Sequence, residues 1–253
     1  MRLTILGSAA SYAGAGEACA GHLVQHGDTS LLLDCGNGAL ANLARVADPL
    51  GISALFVSHG HPDHFLDIYA YQSLLRYAPE GPAPPLPLHM PPGLFERMQC
   101  LMSENGSAEF EAAFDAHVLE DGAAVSVGAL TVEPCEVEHT SHSFAFRVSG
   151  PEGTLCYTAD TVLSAHIRRA AAGCDLLLAE ATLPEAYAGA AAHMTAAEAG
   201  ELARESGAGT LVLTHVWPTN DREEMVARAS AAFGAPACIA RELDTYEVRS
   251  DSP

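Results

Sequence analysis

Ser58-His59-Gly60-His61-Pro62-Asp63-His64 places three imidazoles and a carboxylate within six positions. Histidine nitrogen and carboxylate oxygen are the donors that zinc and similar divalent metals accept. The cluster directly follows an apolar run, Ala54-Leu55-Phe56-Val57, which reads as a strand. A strand that ends in glycine, proline and four potential ligands is how a sheet carries a metal site at its edge.

Partners for this cluster are found at other strand ends. His139 closes Leu130–Val137 with Glu138 between, Asp160 follows Cys156-Tyr157-Thr158-Ala159, and His215 follows Leu211-Val212-Leu213-Thr214. Each is a polar residue just past a hydrophobic run, so each strand aims it at one sheet edge. Five histidines and two aspartates suffice for two metals with a shared carboxylate. His142 competes with His139 for the same role. His22, His26, His89, His117 and His166 lack such a context and read as structural or surface residues.

Strands interleave with helices in both halves. The first half reads as strands at Arg2–Gly7, His22–His26, Thr29–Asp34 and Ser53–Val57, with a helix from Ala39 to Ala47. Pro62 suits the first turn of a second helix that runs to about Tyr77. Pro79 to Pro92 reads as a stiff connector with one short strand and a possible wall of the active site. Short helices are expected near Gly93–Met102 and Ser107–Phe114. The second half reads as strands at Leu130–Val137, Ser143–Val148, Thr154–Tyr157, Asp175–Ala179 and Thr210–Leu213, with a helix from Val162 to Ala172. Thr195-Ala196-Ala197-Glu198 has the form of a capping box, and Gly207 can end the helix that it starts. Asn220-Asp221-Arg222-Glu223 opens a last helix. Two packed sheets with helices outside follow from this order, in one domain over residues 1–253.

Composition narrows the chemistry. With 49% hydrophobic and 17% charged residues, the 253-residue chain can bury a full core. Its 32 acids against 12 bases give a net charge of −20, which repels polyanions and anionic membranes. Every base is arginine. Schiff-base chemistry and a phosphate-loop lysine are therefore excluded. The seven cysteines form no Cys-x-x-Cys pair, against both a disulfide framework and a thiolate zinc site, and read as small buried hydrophobes. No apolar run approaches the ~20 residues of a membrane span. The N-terminus is too short and strand-like for a signal peptide, so a cytoplasmic location is expected.

His59-x-His61-x-Asp63-His64, followed in order by His139, Asp160 and His215, resembles the metallo-β-lactamase superfamily from Leu31-Leu32-Leu33-Asp34-Cys35-Gly36 to His215. The resemblance implies an α/β fold, a four-layer αββα sandwich, with two metals at one edge. These are usually zinc, with manganese or iron as alternatives. By motif, His59, His61 and His139 would hold the first metal, and Asp63, His64 and His215 the second, with Asp160 bridging. Leu178-Ala179-Glu180-Ala181-Thr182 and His193-Met194-Thr195-Ala196 resemble the ribonuclease Z-like phosphodiesterase branch, in which such a Glu and His act together beside the metals. A carboxylate bonded to an imidazole orients it and raises its basicity. Glu180 ends a buried strand and His193 lies in a loop that can reach the site, so this reading fits the pair. Only a short segment separates His139 from Asp160, with no room for the long arm that grips transfer RNA in those enzymes.

The reading is a two-metal hydrolase of a small, anionic phosphodiester, with transfer RNA disfavoured as a substrate. Such metals lower the pKa of bound water to about 7, so hydroxide is available for attack. Asp63 would orient or deprotonate that water, and His193, backed by Glu180, would protonate the departing oxygen. No arginine stands beside these motifs, so charge neutralisation would fall on the metals. The alternatives are an ester, thioester or lactone hydrolase, with Tyr12, Tyr157 or Tyr187 as oxyanion stabiliser, and a non-catalytic metal-binding scaffold. Members of the family are often dimers, so a homodimer is a further expectation.

Overall fold

A computed structural model describes residues 1–79 and 81–250. Glu80, within the proline-rich connector, lies outside the described residues. Numbered in chain order, the helices are α1 (Ala39–Val46), α2 (Ile68–Tyr77), α3 (Leu94–Gln99), α4 (Glu104–Ala113), α5 (Ala165–Ala171), α6 (Ala196–Ser206) and α7 (Arg222–Phe233). The first sheet holds, side by side, β14 (Thr245–Glu247), β1 (Arg2–Gly7), β2 (Gly21–His26), β3 (Thr29–Cys35), β4 (Ala54–Phe56), β5 (Leu86–Met90) and β6 (Phe114–Val118). The second holds β13 (Ala237–Ile239), β12 (Thr210–Thr214), β11 (Leu176–Glu180), β10 (Gly153–Tyr157), β9 (Ser143–Gly150), β8 (Leu130–Val137) and β7 (Val125–Val127).

Alternation along the strands builds the layers, because successive side chains point to opposite faces. Leu31 and Leu33 of β3 meet Phe146, Leu155, Leu176 and Leu178 in a core between the sheets. Leu32, one residue out of phase, packs with Leu43, Ile68, Tyr71, Leu94 and Phe110 under α1 to α4. In the second sheet Leu177, Ala179, Leu211 and Leu213 turn outward onto Ile167, Leu202 and Met225 of α5, α6 and α7. Both sheets are thus buried on both faces, and their strands carry continuous apolar runs for that reason. The result is the expected αββα sandwich. Among the described residues no helix is long and apolar enough to cross a membrane.

Several local expectations are corrected. The helix expected from Pro62 is interrupted: Pro62–His64 forms one 3-10 turn, and α2 starts only at Ile68. Asp67 causes the break, because its N–H donates to the Cys35 carbonyl at 3.0 Å and its carboxylate accepts from Leu40 N–H at 3.0 Å. The helix expected from Val162 begins at Ala165, capped by Ser164. The preceding backbone is held elsewhere, with Thr161 N–H on Glu180 Oε1 and Val162 N–H on the Glu138 carbonyl. The capping box of α6 and its Gly207 stop form as expected. Five cysteines are buried, but Cys100 and Cys238 are exposed.

Strand direction sets the functional edge. β3 and β4 are parallel, as are β10, β11 and β12. β8 is antiparallel to β9, which is antiparallel to β10, so β8 also runs with β10. The C-terminal ends of all these strands therefore open on one edge, the usual place for a site in such sheets. Gly36, just past β3, lets the two segments there touch: a Cβ at this position would fall 1.9 Å from the Asp63 carbonyl oxygen. Gly36→Ala is expected to destabilise the protein by about 1–3 kcal/mol through overpacking, measured by urea denaturation. An unchanged midpoint would contradict that close approach.

Candidate metal centre

β4 delivers Ser58 and His59, and the 3-10 turn after it presents Asp63 and His64 inward. β8, β10 and β12 end just before His139, Asp160 and His215. The seven expected ligand residues meet around one carboxylate. Asp160 Oδ2 lies 3.5 Å from His59 Nε2, 3.4 Å from His64 Nε2 and 3.6 Å from His139 Nε2, while Oδ1 lies 3.2 Å from His215 Nδ1. His139 Nε2 is 3.1 Å from His61 Nδ1. His215 Nε2 is 3.2 Å from His64 Nε2 and 3.1 Å from Asp63 Oδ2. His59, His61, His139 and Asp160 each offer a donor atom within 4.8 Å of the others', and so do Asp63, His64 and His215.

Outer hydrogen bonds decide which nitrogen faces inward. The Ser58 hydroxyl donates to Asp34 Oδ2 at 2.8 Å, so it can only accept from His59 Nδ1–H, 3.0 Å away. His64 Nδ1–H donates to Asp34 Oδ2 at 2.8 Å, and His139 Nδ1–H to the Ala192 carbonyl at 2.7 Å. The Thr182 hydroxyl donates to Glu180 Oε2 at 2.7 Å and accepts from His215 Nδ1–H at 2.8 Å. These partners assign the tautomers and leave four Nε2 lone pairs aimed inward. Two of those lone pairs, on His64 and His215, face each other at 3.2 Å. Only a proton or a cation between them relieves that opposition. His59 Nε2 and Asp160 Oδ1 are buried without a hydrogen-bond partner among the described residues, as are both ring nitrogens of His22 and Thr214 Oγ1; the first two face the cluster, where an ion would satisfy them. Nitrogen and carboxylate donors in this number fit divalent metals.

The electrostatics agree. Burial pushes His59, His61 and His139 below the usual histidine value, which keeps their lone pairs available. His64 differs: burial disfavours its charge, yet Asp160 and Asp34 outweigh it and hold that ring well above its ordinary value, so a proton occupies the Nε2 position facing His215 wherever a cation does not. Burial would raise Asp160, but the charges of His215, His64 and His59 hold it well below the carboxylate range. Asp63 is lowered as well, against its burial, by the close contact with His215 and the charge of His64.

Glu180 and His193 meet beside this cluster. His193 Nδ1 lies 2.9 Å from Glu180 Oε1, and its ring centroid lies 4.7 Å from that of His139. Glu180 is fully buried and also accepts from Thr161 N–H and Thr182 N–H. Burial works against a charged His193, but the hydrogen bond and charge of Glu180 prevail and raise it.

Of the three tyrosines considered, Tyr157 is removed: it is buried and donates to Asp34 Oδ2 at 2.8 Å. Tyr12 and Tyr187 remain exposed. His142 is exposed, with Nδ1 3.7 Å from Glu136, and is not part of the cluster. His22 is buried edge-on to Tyr157. A cleft of about 170 Å³ adjoins His61 and is lined by Pro91, Pro92, Arg97, Thr140 and His142 among others, so the end of the proline-rich stretch does wall the site. No arginine adjoins the ligand motifs in sequence, but Arg97 comes beside His61 in space and adds one cation to this wall.

Asp34 was legible as the end of a strand but not as the hub of the outer hydrogen bonds. It accepts from Ser58 N–H, the Ser58 hydroxyl, His64 and Tyr157, all buried. Asp34→Ala leaves those donors unpaired. It is expected to cost about 3–5 kcal/mol of stability, the typical result of removing one partner from a buried charged pair. It should also weaken metal affinity about 10- to 100-fold, read by denaturation and by competition with a chelator. A variant with native affinity would contradict the role of Asp34 in aiming His64.

Residues 29–216 match the family described as "Beta-lactamase superfamily domain". An uncharacterized protein of Mycobacterium tuberculosis is 33% identical over 98% of this chain and 93% of its own length. The probable metallo-hydrolase YhfI of Bacillus subtilis is 28% identical over 98% of this chain and its whole length. The crystal structure of YhfI superposes with a TM-score of 0.87 at 27% identity, covering 97% of this chain and 98% of that one. A ribonuclease Z of Methanothermobacter thermautotrophicus is 25% identical over 87% of each chain. With the sandwich, the strand-end donors and these relatives together, the chain belongs to the metallo-β-lactamase superfamily, as a metal-dependent hydrolase of its ribonuclease Z-like branch.

Proposed function

We propose that this chain hydrolyses a phosphodiester of a small anionic molecule or nucleotide with two divalent ions, zinc first among them. The observation that carries the reading is the Glu180–His193 hydrogen bond of 2.9 Å at the margin of the metal centre. Phosphodiester cleavage needs a proton for the departing oxygen, and this pair can supply one. The likeness to a protein named ribonuclease Z supports the same class.

His59, His61 and His139 would hold one ion, Asp63, His64 and His215 the other, and Asp160 would touch both. Such ions supply Lewis acidity at the scissile oxygen and a water ionised near neutrality. The protein's own groups do the rest. Ser11 N–H donates to Asp63 Oδ2 at 2.7 Å and fixes that carboxylate, which orients the attacking water and accepts its proton. Glu180 holds His193 by Nδ1, so Nε2 is the atom that faces the leaving group and delivers the proton.

Two features favour a small substrate over transfer RNA. The interval between His139 and Asp160 is filled by the β9–β10 hairpin, turned between Gly150 and Gly153. The net charge of −20 repels a polyanion. The carbonyl-hydrolysis reading loses one of its three candidate oxyanion stabilisers, because Tyr157 is committed to Asp34.

The zinc-loaded protein should turn over aryl and alkyl phosphodiesters, with no turnover of lactones. His193→Ala should slow an alkyl diester about 10²- to 10⁴-fold. It should barely affect a p-nitrophenyl diester, whose leaving group departs without a proton. Equal losses on both esters would remove the proton-donor role, and turnover of lactones alone would overturn the phosphodiester reading.

A further inference from the structure

Arg97 of α3 lies far in sequence from every ligand residue, yet its guanidinium packs over Gly60, between His59 and His61. A Cβ at Gly60 would fall 3.2 Å from Arg97 Nη1 and 3.6 Å from Nη2. Glycine at this position leaves the backbone bare and lets the flat cation lie against it. Among the described residues the Arg97 side chain donates to no acceptor and pairs with no acid. Arg76, Arg168, Arg169, Arg222, Arg228 and Arg249 are all ion-paired. Arg147 donates to the Ala170 and Ala172 carbonyls. Arg204 and Arg241 also lack a side-chain partner there, but neither lines the cleft beside His61.

The cleft itself limits what Arg97 can meet. Its volume of about 170 Å³ is below the ~300–1,000 Å³ of sites that enclose a whole small molecule. It is suited to one substituent of a larger substrate whose reacting part lies over the metal centre. Arg97 offers a planar fork of donors, and phosphate is the group such a fork matches bidentately. Thr140 and Ser141 also line the cleft, the Thr140 hydroxyl being bonded to Ser143 Oγ at 2.8 Å. His142 is turned toward Glu136 and adds no second cation of comparable strength.

We infer that Arg97 is a specificity-determining residue that binds a second phosphate of the substrate in the cleft beside His61, next to the diester being cleaved. This rests on the phosphodiester reading for the reaction, but not for the binding. The subsite explains how a strongly acidic protein retains a multiply charged anion. The metals neutralise the scissile group, and Arg97 pairs with its neighbour.

The test compares two p-nitrophenyl esters of thymidine 5′-phosphate that differ only in a 3′-phosphate. Thymidine 3′,5′-bisphosphate and thymidine 5′-monophosphate serve as unreactive probes in calorimetry. The wild-type protein should favour the doubly phosphorylated member of each pair. Arg97→Ala should reduce kcat/KM and affinity for that member by roughly 10- to 100-fold, the span of a charge-assisted hydrogen bond, and leave the other member unchanged. Arg97→Lys should fall between. Arg97 is exposed and unpaired, so both variants should melt with the wild type. Equal binding of the two nucleotides by the wild type, binding of neither, or an equal loss on both members in Arg97→Ala overturns the inference. Arg97-dependent binding of the bisphosphate without hydrolysis of either ester would keep the subsite and refute the phosphodiester reading.

Discussion

A buried carboxylate with histidine nitrogens on every side is the constraint that the rest of this protein accommodates. Asp160 is 1% exposed, and nitrogens of His59, His64, His139 and His215 stand 3.2 to 3.6 Å from its oxygens. An isolated carboxylate at such depth would be strongly penalised. Imidazole lone pairs at contact distance would repel one another. The two problems have a common solution, because cations at the centre satisfy the carboxylate and the lone pairs together. The outer hydrogen bonds that the rings donate to Asp34, Ser58, Thr182 and Ala192 commit each of these four rings to that arrangement by occupying its other nitrogen.

The backbone is bent to reach this arrangement. Outside glycine, left-handed φ values occur at Ser11, Asp34, His142, Ala159, His215 and Leu243. All but Leu243 lie at or beside the metal-centre edge of the sandwich. Ser11 presents its N–H to Asp63, Asp34 gathers the outer hydrogen bonds, Ala159 turns the chain into Asp160, and His215 is itself in the cluster. Such conformations cost of order 1–3 kcal/mol each and persist only where the surroundings impose them. Here the surroundings are two sheets buried on both faces, rigid enough to hold strained strand ends in register.

Strand-end residues could be read from the sequence because each follows an apolar run, and the run fixes both the strand and the edge at which it stops. Gly207 and the Thr195–Glu198 box were legible for a similar reason, since capping is local. What was hidden depends on distant partners. Asp34 serves residues 24, 30 and 123 positions away, and no spacing rule connects them. The break between the Pro62 turn and α2 is imposed by Asp67 reaching back to Cys35 and Leu40. β6, β13 and β14 are short edge strands with mostly exposed or half-buried side chains, so they lack the alternation that marks a strand. Arg97 lies on a six-residue helix whose seat over Gly60 is visible only in three dimensions.

The claim on which all of this depends is that the seven donors hold two cations with Asp160 between them. Crystals of the zinc-loaded protein, measured above and below the zinc absorption edge, test it directly. Two anomalous peaks per chain are expected, one within reach of His59, His61 and His139 and one within reach of Asp63, His64 and His215, with Asp160 touching both. A single peak, or peaks bound by other residues, would contradict it.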